Sequence, residues 1–312
     1  MEFVQAIERE PFFLIEGAVI ERLRRDPEIQ LDPQHLNTAL LYDPVGRAAM
    51  GKIYRGYLDI GKEFDLPMLL LAPTWRASED RIAASGLPSM REVNREAVMF
   101  ASALRDEYGK YSRKVYIGGL MGPSGDAYHP ADSLPEAEAR AYHRPQAQIL
   151  AETGVDFILA ATLPALPEAF GIAEVINETG CPAVISFVAR PDGTLLDGAP
   201  LHEAVHRLDS DPNRQPCFFM LNCVHPSVFI SAVETCAPHE SGLTRRIIGL
   251  QANASAKSPE ELNESSEISA DDPESLAEKM LEVHRRFGTR ILGGCCGTDE
   301  RHIRAIASAC KT

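Results

Sequence analysis

The chain has 312 residues, 45% of them hydrophobic and 24% charged, and its formal net charge at pH 7 is −14. An acidic chain of this kind lacks the basic surface that attracts nucleic acids and anionic membranes, so neither is an expected partner. No apolar stretch approaches the roughly 20 residues of a membrane-spanning helix, and no basic segment followed by an apolar core opens the chain, so we expect a cytoplasmic protein.

Short apolar runs alternate with longer helical patterns along the chain. The eight predicted strands are 12–15, 68–72, 115–119, 156–159, 183–187, 217–221, 247–250 and 290–292. Helical patterns between them include 89–108, 136–153, 165–179 and 273–287, and a glycine that favours a helix end follows several of these helices. This alternation predicts a single-domain α/β protein over 1–312, a (β/α)8 TIM barrel, with a doubly wound open sheet as the alternative. The polar stretch 253–272 is predicted to be a loop.

Polar and sulfur-containing side chains follow most of these predicted strands. Functional residues of a (β/α)8 barrel gather at the carboxyl ends of its strands. The residues expected there are Glu16, Gly17, Trp75, Thr162, Asn222, Cys223, Asn253, Cys295 and Cys296. We therefore expect a functional site at this end of the barrel.

Seven cysteines without a secretory signal indicate a reducing compartment with free or metal-bound thiols. Cys295 and Cys296 are adjacent on a glycine-rich turn, where they cannot easily bond to each other but can both face one ion. Cys223 follows the sixth predicted strand and supplies a third thiolate. Three thiolates without an obvious fourth protein ligand predict a zinc site with an open coordination position. The other four are interpreted as packing residues: Cys181, Cys217, Cys236 and Cys310.

A second metal-binding pattern competes with this interpretation. Residues 202–206 read His-Glu-Ala-Val-His, the H-E-x-x-H signature of zinc peptidases, in which Glu203 would be the general base. The flanks are polar and no further peptidase signature follows, which favours a surface helix with His202 and His206 on one face. His225 is expected to cap a helix or to orient a neighbouring group.

Two cysteine segments carry a family resemblance. Residues 220–226, Met-Leu-Asn-Cys-Val-His-Pro, and 293–298, Gly-Gly-Cys-Cys-Gly-Thr, resemble the two zinc-binding signatures of the homocysteine S-methyltransferase family. That family includes betaine–homocysteine methyltransferase and the homocysteine-binding module of methionine synthase. Gly17, the glycines of 119–122, the segment 152–156 and Asn253 follow the family order, so the resemblance covers nearly the whole chain.

The resemblance implies a (β/α)8 barrel in which Cys223, Cys295 and Cys296 bind Zn²⁺. A substrate thiol, in this family homocysteine, would take the fourth position as a thiolate and attack the methyl group of an onium donor to give methionine. Candidate donors are S-methylmethionine, S-adenosylmethionine and betaine-like compounds. The substrate-binding residues it implies are Glu16, Gly17, Thr162, Asn222 and Asn253. Trp75 is a candidate contact for the cationic donor.

The chain departs from the family pattern at two strand ends. The family commonly has Asp-Gly-Gly where this chain has Glu16-Gly17-Ala18. It has Phe-Glu-Thr, whose glutamate binds the amino group of homocysteine, where this chain has Ala160-Ala161-Thr162. Either Glu16 binds the ammonium instead, or the acceptor is another small thiol. A zinc peptidase and a catalytically silent barrel are the alternatives from other classes.

Overall fold

Eight parallel strands close into a barrel in the order of the chain. The computed structural model describes residues 2–257 and 271–311. The strands are β1 (Phe13–Ile15), β2 (Met68–Leu71), β3 (Val115–Met121), β4 (Phe157–Leu163), β5 (Ala183–Phe187), β6 (Phe218–Val224), β7 (Ile247–Ala252) and β8 (Ile291–Gly294). Because β8 pairs with β1, through Phe13 with Ile291 and Leu14 with Leu292, the sheet is closed. The predicted (β/α)8 barrel is confirmed and the open sheet is excluded.

Helices surround this barrel. They are α1 (Glu2–Arg9), α2 (Ile20–Arg24), α3 (Pro44–Glu63), α4 (Glu79–Ala83), α5 (Met90–Asp106), α6 (Glu136–Glu152), α7 (Leu166–Glu178), α8 (Leu201–Asp209), α9 (Pro226–Cys236), α10 (Leu243–Arg246), α11 (Pro273–Phe287) and α12 (Glu300–Ala309). The predicted helices are present, with ends that differ by at most two residues. None of the described helices combines the length and the apolar character needed to cross a membrane.

Helix α1 covers the amino-terminal end of the barrel. The ring of Phe3 stacks on Phe157 at 4.4 Å between centroids, and it also contacts Tyr116 and Phe218. These partners lie at the first or second positions of β3, β4 and β6, so the helix closes the barrel from below. The opposite end, where the strands finish, is left for the functional site.

Strands β4 and β6 continue beyond their predicted ends at 159 and 221. The register of each shifts near its carboxyl end, between Ala160 and Leu163 in β4 and between Asn222 and Val224 in β6. Such shifts mark β-bulges, which re-aim side chains at the rims of barrels. The predicted loop over 253–272 falls mainly on residues 258–270, which lie outside the described residues.

Candidate metal centre

Three cysteine thiols meet at the carboxyl end of the barrel. Cys223 lies near the end of β6, and Cys295 and Cys296 directly follow β8. Their Sγ atoms all lie within 4.8 Å of one another, and Cys223 Sγ is 2.6 Å from Cys295 Sγ. Over residues 2–257 and 271–311 this is the only group of three or more histidine, cysteine or acidic side chains whose donor atoms converge in this way.

Backbone geometry and one asparagine hold the two cysteine segments together. Cys223 has φ 55°, in the left-handed region, which turns its side chain out of the strand alternation. The amide of Asn253 donates to Cys223 O at 2.9 Å, while its Oδ1 accepts from Cys296 N at 3.2 Å. Asn253 therefore fixes the ends of β6 and β8 relative to each other.

The three thiols share their protons unevenly. Hydrogen bonds donated by Cys295 and Cys296 hold the pKa of Cys223 well below its ordinary value, although burial opposes them. The same hydrogen bonding raises the pKa of Cys295 well above the usual range and that of Cys296 to about 12. Three converging sulfur atoms, one of which has a lowered pKa, are a donor set that suits a soft divalent cation, which takes the place of the protons. The residues present therefore fit a zinc ion.

Asn222 connects the bulges of β4 and β6. Its Oδ1 accepts from Thr162 N at 2.9 Å and from Ser186 Oγ at 2.6 Å, and its Nδ2 donates to Thr162 Oγ1 at 2.7 Å. Thr162, like Cys223, has a positive φ of 62°. Asn222 and Thr162, both predicted to bind substrate, are therefore hydrogen-bonded to each other, and they shape the rim beside Cys223.

Glu16 lies just past the end of β1 and is 4% exposed. Its Oε2 accepts a hydrogen bond from Leu71 N at 2.8 Å. Burial raises the pKa of Glu16 well above its ordinary value, although hydrogen bonds from the backbone act in the opposite direction. Next to it, a Cβ at Gly17 would lie 2.8 Å from the hydroxyl of Tyr57, so only glycine fits there.

Trp75 lies across the barrel mouth. Its Nε1 donates to Ala161 O at 3.3 Å, at the position where the family glutamate is missing. A Cβ at Gly122 would lie 2.6 Å from this nitrogen, so the indole ring passes closely over the end of β3. The guanidinium of Arg76 stands over the ring, with Cζ 4.9 Å from a ring centroid.

Tyr128, in the loop after β3, is a site residue that the sequence analysis did not find. Although 37% of the residue is exposed, its hydroxyl lies close enough to the Cys223 sulfur to interact with it, and burial raises the pKa of Tyr128 well above the usual range. The loop is held by Ser124, whose N donates to Glu168 Oε1 at 2.7 Å and whose carbonyl accepts from Arg81. Loop residues have no periodic pattern, so no sequence signal places Tyr128 at the thiols.

The H-E-x-x-H segment lies on α8, on the outside of the barrel. His206 Nδ1 is 3.1 Å from Glu240 Oε2 and the side chain is 61% exposed. The ring of His202 stacks on His239 at 4.9 Å. Neither histidine shares a converging ligand group in the described part of the chain, so nothing here supports the peptidase alternative. His225 caps α9, as expected, by accepting from Ser227 N.

Comparisons with known proteins agree with this geometry. A family model described as "Homocysteine S-methyltransferase" matches residues 13–310. The chain is 25% identical over 313 residues to homocysteine S-methyltransferase YbgG of Bacillus subtilis (strain 168), covering 96% of this chain and 94% of that protein. It is 27% identical over 251 residues to homocysteine S-methyltransferase of Escherichia coli (strain K12), covering 76% and 77%. The metallated form of the Escherichia coli homocysteine methyltransferase MmuM superposes with a TM-score of 0.77 at 21% identity, over 97% and 98% of the two chains, which shows the same fold.

Proposed function

This chain belongs to the homocysteine S-methyltransferase family, a family of transferases, and from that premise we propose that it is a zinc-dependent enzyme that moves a methyl group from an onium donor to a thiol. Homocysteine, which would give methionine, is the acceptor we propose first. The observation that carries the proposal is the convergence of three cysteine thiols from two strand ends at the barrel mouth. We also propose that residues 1–312 form one homocysteine-binding domain that acts in the cytoplasm on small molecules.

Cys223, Cys295 and Cys296 would hold the zinc ion. When bound there, Zn²⁺ would lower the pKa of a substrate thiol, because the thiolate is the form that coordinates a metal. The thiolate sulfur then forms a bond to the methyl carbon of the donor. The bond from that carbon to the onium atom breaks, and its electron pair leaves the donor neutral at that atom.

Glu16 would meet the ammonium of homocysteine. With Ala161 in place of the family glutamate, it is the described carboxyl group that matches the family position at the end of β1. Burial raises the pKa of Glu16, which favours its protonated form more than in a free glutamate. An ammonium group nearby favours the carboxylate, so substrate binding would lower the pKa of Glu16 again. If Glu16 does not serve this purpose, the acceptor is another small thiol without that amino group.

The other predicted substrate-binding residues would shape the substrate site through their backbone and through the geometry they impose. They are Gly17, Thr162, Asn222 and Asn253. Gly17 lets the backbone next to Glu16 pass close to the hydroxyl of Tyr57. The two asparagines fix the ends of β4, β6 and β8 around the thiols. We assign them to substrate positioning rather than to proton transfer.

The decisive experiment measures metal and methyl transfer on the same protein. X-ray absorption at the zinc edge should show one zinc per chain with three sulfur neighbours, and a panel of thiols and onium donors should show transfer. Cys296→Ala should lose both, whereas Cys310→Ala, at the end of α12, should keep both. A shell of nitrogen and oxygen alone would favour a histidine site at His202 and His206. Full zinc without transfer for any pair would favour a silent barrel.

A further inference from the structure

The loop after β3, residues 122–132, brings one side chain to the cysteine cluster and otherwise folds on itself. Within it, Tyr128 N donates to Asp126 Oδ1 at 2.8 Å. A Cβ at Gly125 would collide with the Cβ and the carbonyl of Asp132, so the start and the end of this segment touch. The part of the loop that bears Tyr128 is therefore a compact unit, and its place depends on where the loop is attached.

Ser124 attaches this loop to the helices around the barrel. Its N donates to Glu168 Oε1 on α7 at 2.7 Å, and its carbonyl accepts from the guanidinium of Arg81 on α4. The Nε2 atom of His143, on α6, lies 2.8 Å from the same oxygen of Glu168. Three helices thus hold one residue of the loop, and Tyr128 follows that residue by four positions.

Glu168 is a carboxylate that water does not reach. Its side chain and that of His143 are fully buried. Although burial opposes them, hydrogen bonds from His143 and Ser124 hold the pKa of Glu168 below its ordinary value. An ionised acceptor binds an N–H group more strongly than a neutral one does. The charge of Glu168 therefore strengthens the attachment of the loop.

The packing of α6 on α7 does not by itself call for this buried pair. Arg140 on α6 and Glu174 on α7 also join the two helices, and both of these side chains keep contact with water. Burying two ionisable groups costs free energy unless their partners are held in place. The difference between the two pairs is the bond from Glu168 to the loop, so the buried pair serves the loop.

Tyr128 lies between the cysteine cluster and solvent. Its hydroxyl is close enough to the sulfurs of Cys223, Cys295 and Cys296 to interact with all three, whereas more than a third of the residue is exposed. Cys295 and Cys296 are themselves only partly buried by the rest of the protein. A phenol ring in this position restricts what reaches the sulfurs from outside.

We propose that the loop after β3 covers the three thiols and that Glu168 is the positioning residue that keeps this cover closed, with His143 and Arg81 as its supports. The inference rests on the proposed function only in that the covered groups are its proposed zinc ligands. Loosening Ser124 from Glu168 then exposes the thiols without changing any group that touches them.

Alkylation of the metal-free protein measures the cover directly. Peptide mass mapping would follow the rate at which iodoacetamide labels Cys296, with the buried Cys236 on α9 as the reporter of global unfolding. Tyr128→Ala should raise the rate at Cys296 about tenfold or more, because the site no longer has to open before it reacts. Tyr128→Phe keeps the ring and should stay near wild type. Equal rates in wild type and Tyr128→Ala, or equally fast labelling of Tyr128→Phe and Tyr128→Ala, would overturn the cover.

A second set of variants tests the role of Glu168. Glu168→Gln should raise the rate at Cys296 several-fold and leave Cys236 unchanged, since a neutral amide holds the loop less firmly than a carboxylate. Glu174→Gln, which breaks the other pair between α6 and α7, is the matched control and should label as wild type. In the Tyr128→Ala background Glu168→Gln should add nothing, because the cover is already gone. An equal rise at Cys236, or effects that multiply in the double variant, would make Glu168 purely structural and refute its assignment.

The other attachment of Ser124 provides an independent test if Glu168→Gln does not fold. Arg81→Gln releases the carbonyl of Ser124 and should also raise the labelling rate at Cys296. An unchanged rate in this variant would contradict attachment of the cover through Ser124.

Failure of this proposal can be told from failure of the proposed function. Methyl transfer by wild type, with labelling rates that the Tyr128 and Glu168 variants leave unchanged, would leave the function standing and remove the cover. Coupled labelling rates in a protein that transfers no methyl group to any thiol would leave the cover standing and remove the methyltransferase.

Discussion

Glu16 is a carboxyl group in a place that water scarcely reaches. Its side chain is buried against β2, and burial raises its pKa well above the value for a free glutamate. Between the pKa of the unfolded chain, about 4.3, and the raised pKa of the folded protein, the native state holds a proton that the unfolded state has lost. In that window the native state binds more protons, so the free energy of unfolding falls as the pH rises.

Glu16→Gln should remove this pH dependence. The amide keeps an acceptor for Leu71 N and carries no charge, so we expect the variant to gain stability over wild type as pH rises from 4.5 to 8. The gain should reach on the order of 1 kcal/mol or more, since each pKa unit corresponds to about 1.4 kcal/mol. Urea unfolding at several pH values measures it. Glu278→Gln, an exposed residue of α11, is the control, and identical pH profiles for wild type and Glu16→Gln would contradict the assignment.

The same substitution tests the proposed ammonium contact. A glutamine cannot become the carboxylate that an ammonium favours, so homocysteine should bind Glu16→Gln several-fold more weakly than wild type. A thiol without an amino group, such as 3-mercaptopropionate, should be unaffected. Unchanged homocysteine affinity in Glu16→Gln would indicate that the methyl acceptor belongs to another class of thiol.

At the scale of elements, the bulges of β4 and β6 place the site. Thr162 and Cys223 both take a positive φ, and the side chain of Asn222, the residue before Cys223, forms two hydrogen bonds with Thr162 and one with Ser186. Non-glycine residues in the left-handed region cost free energy and persist where their surroundings hold them. Asn222 holds Thr162 in the bulge of β4, and Asn253 holds Cys223 through its carbonyl oxygen.

Asn222→Ala should therefore disturb both folding and metal binding. Thr162 N and the Ser186 hydroxyl would lose their buried partner, which costs about 1–3 kcal/mol of stability. Because the bulge also aims Cys223, zinc affinity should fall about 10- to 100-fold. Competition with a chromophoric chelator measures that affinity. Asn177→Ala, which loses a more exposed bond to Gln215 O, should leave it unchanged, and equal affinities in the two variants would contradict the role of Asn222.

These bulges also mark the limit of what the sequence predicts. Apolar runs predicted all eight strands, and because parallel strand ends meet at one rim, they also predicted that Cys223 would lie near Cys295 and Cys296. The runs stop at 159 and 221, whereas β4 and β6 continue to Leu163 and Val224. Nothing in the residue types Thr and Cys predicts a positive φ, since it is stabilised by long-range hydrogen bonds between Asn222 and Thr162 and between Asn253 and Cys223. The position of Tyr128 near the thiols depends on the conformation of its loop, which the sequence does not predict either.

At the scale of the whole molecule, closure of the barrel depends on its shortest strand. β1 has three residues and pairs with β8 at two positions. A Cβ at Gly293 would lie 2.2 Å from Ile15 O, so the strands approach here more closely than any side chain allows.

Gly293→Ala should push β8 away from β1 and lower the free energy of unfolding by about 1–3 kcal/mol, as overpacking does. Ser308→Ala, exposed on α12, should stay within about 0.5 kcal/mol of wild type. Urea unfolding compares the two, and equal midpoints would contradict the closure argument.

Zinc would add a second closure at the other end of the barrel. Its proposed ligands come from β6 and β8, so a bound ion links two strands across β7 and exists only when all three strand ends are in place. A ligand that binds the native state alone stabilises it by about 2.7 kcal/mol at a free concentration of 100 times its Kd. The thermal midpoint of wild type should thus rise by several degrees when zinc is added to the metal-free protein. Cys310→Ala should show the same rise and Cys296→Ala almost none, because two remaining thiols bind too weakly to hold the strands together. A rise of equal size in Cys296→Ala would mean that zinc stabilises the fold from somewhere other than the cysteine cluster.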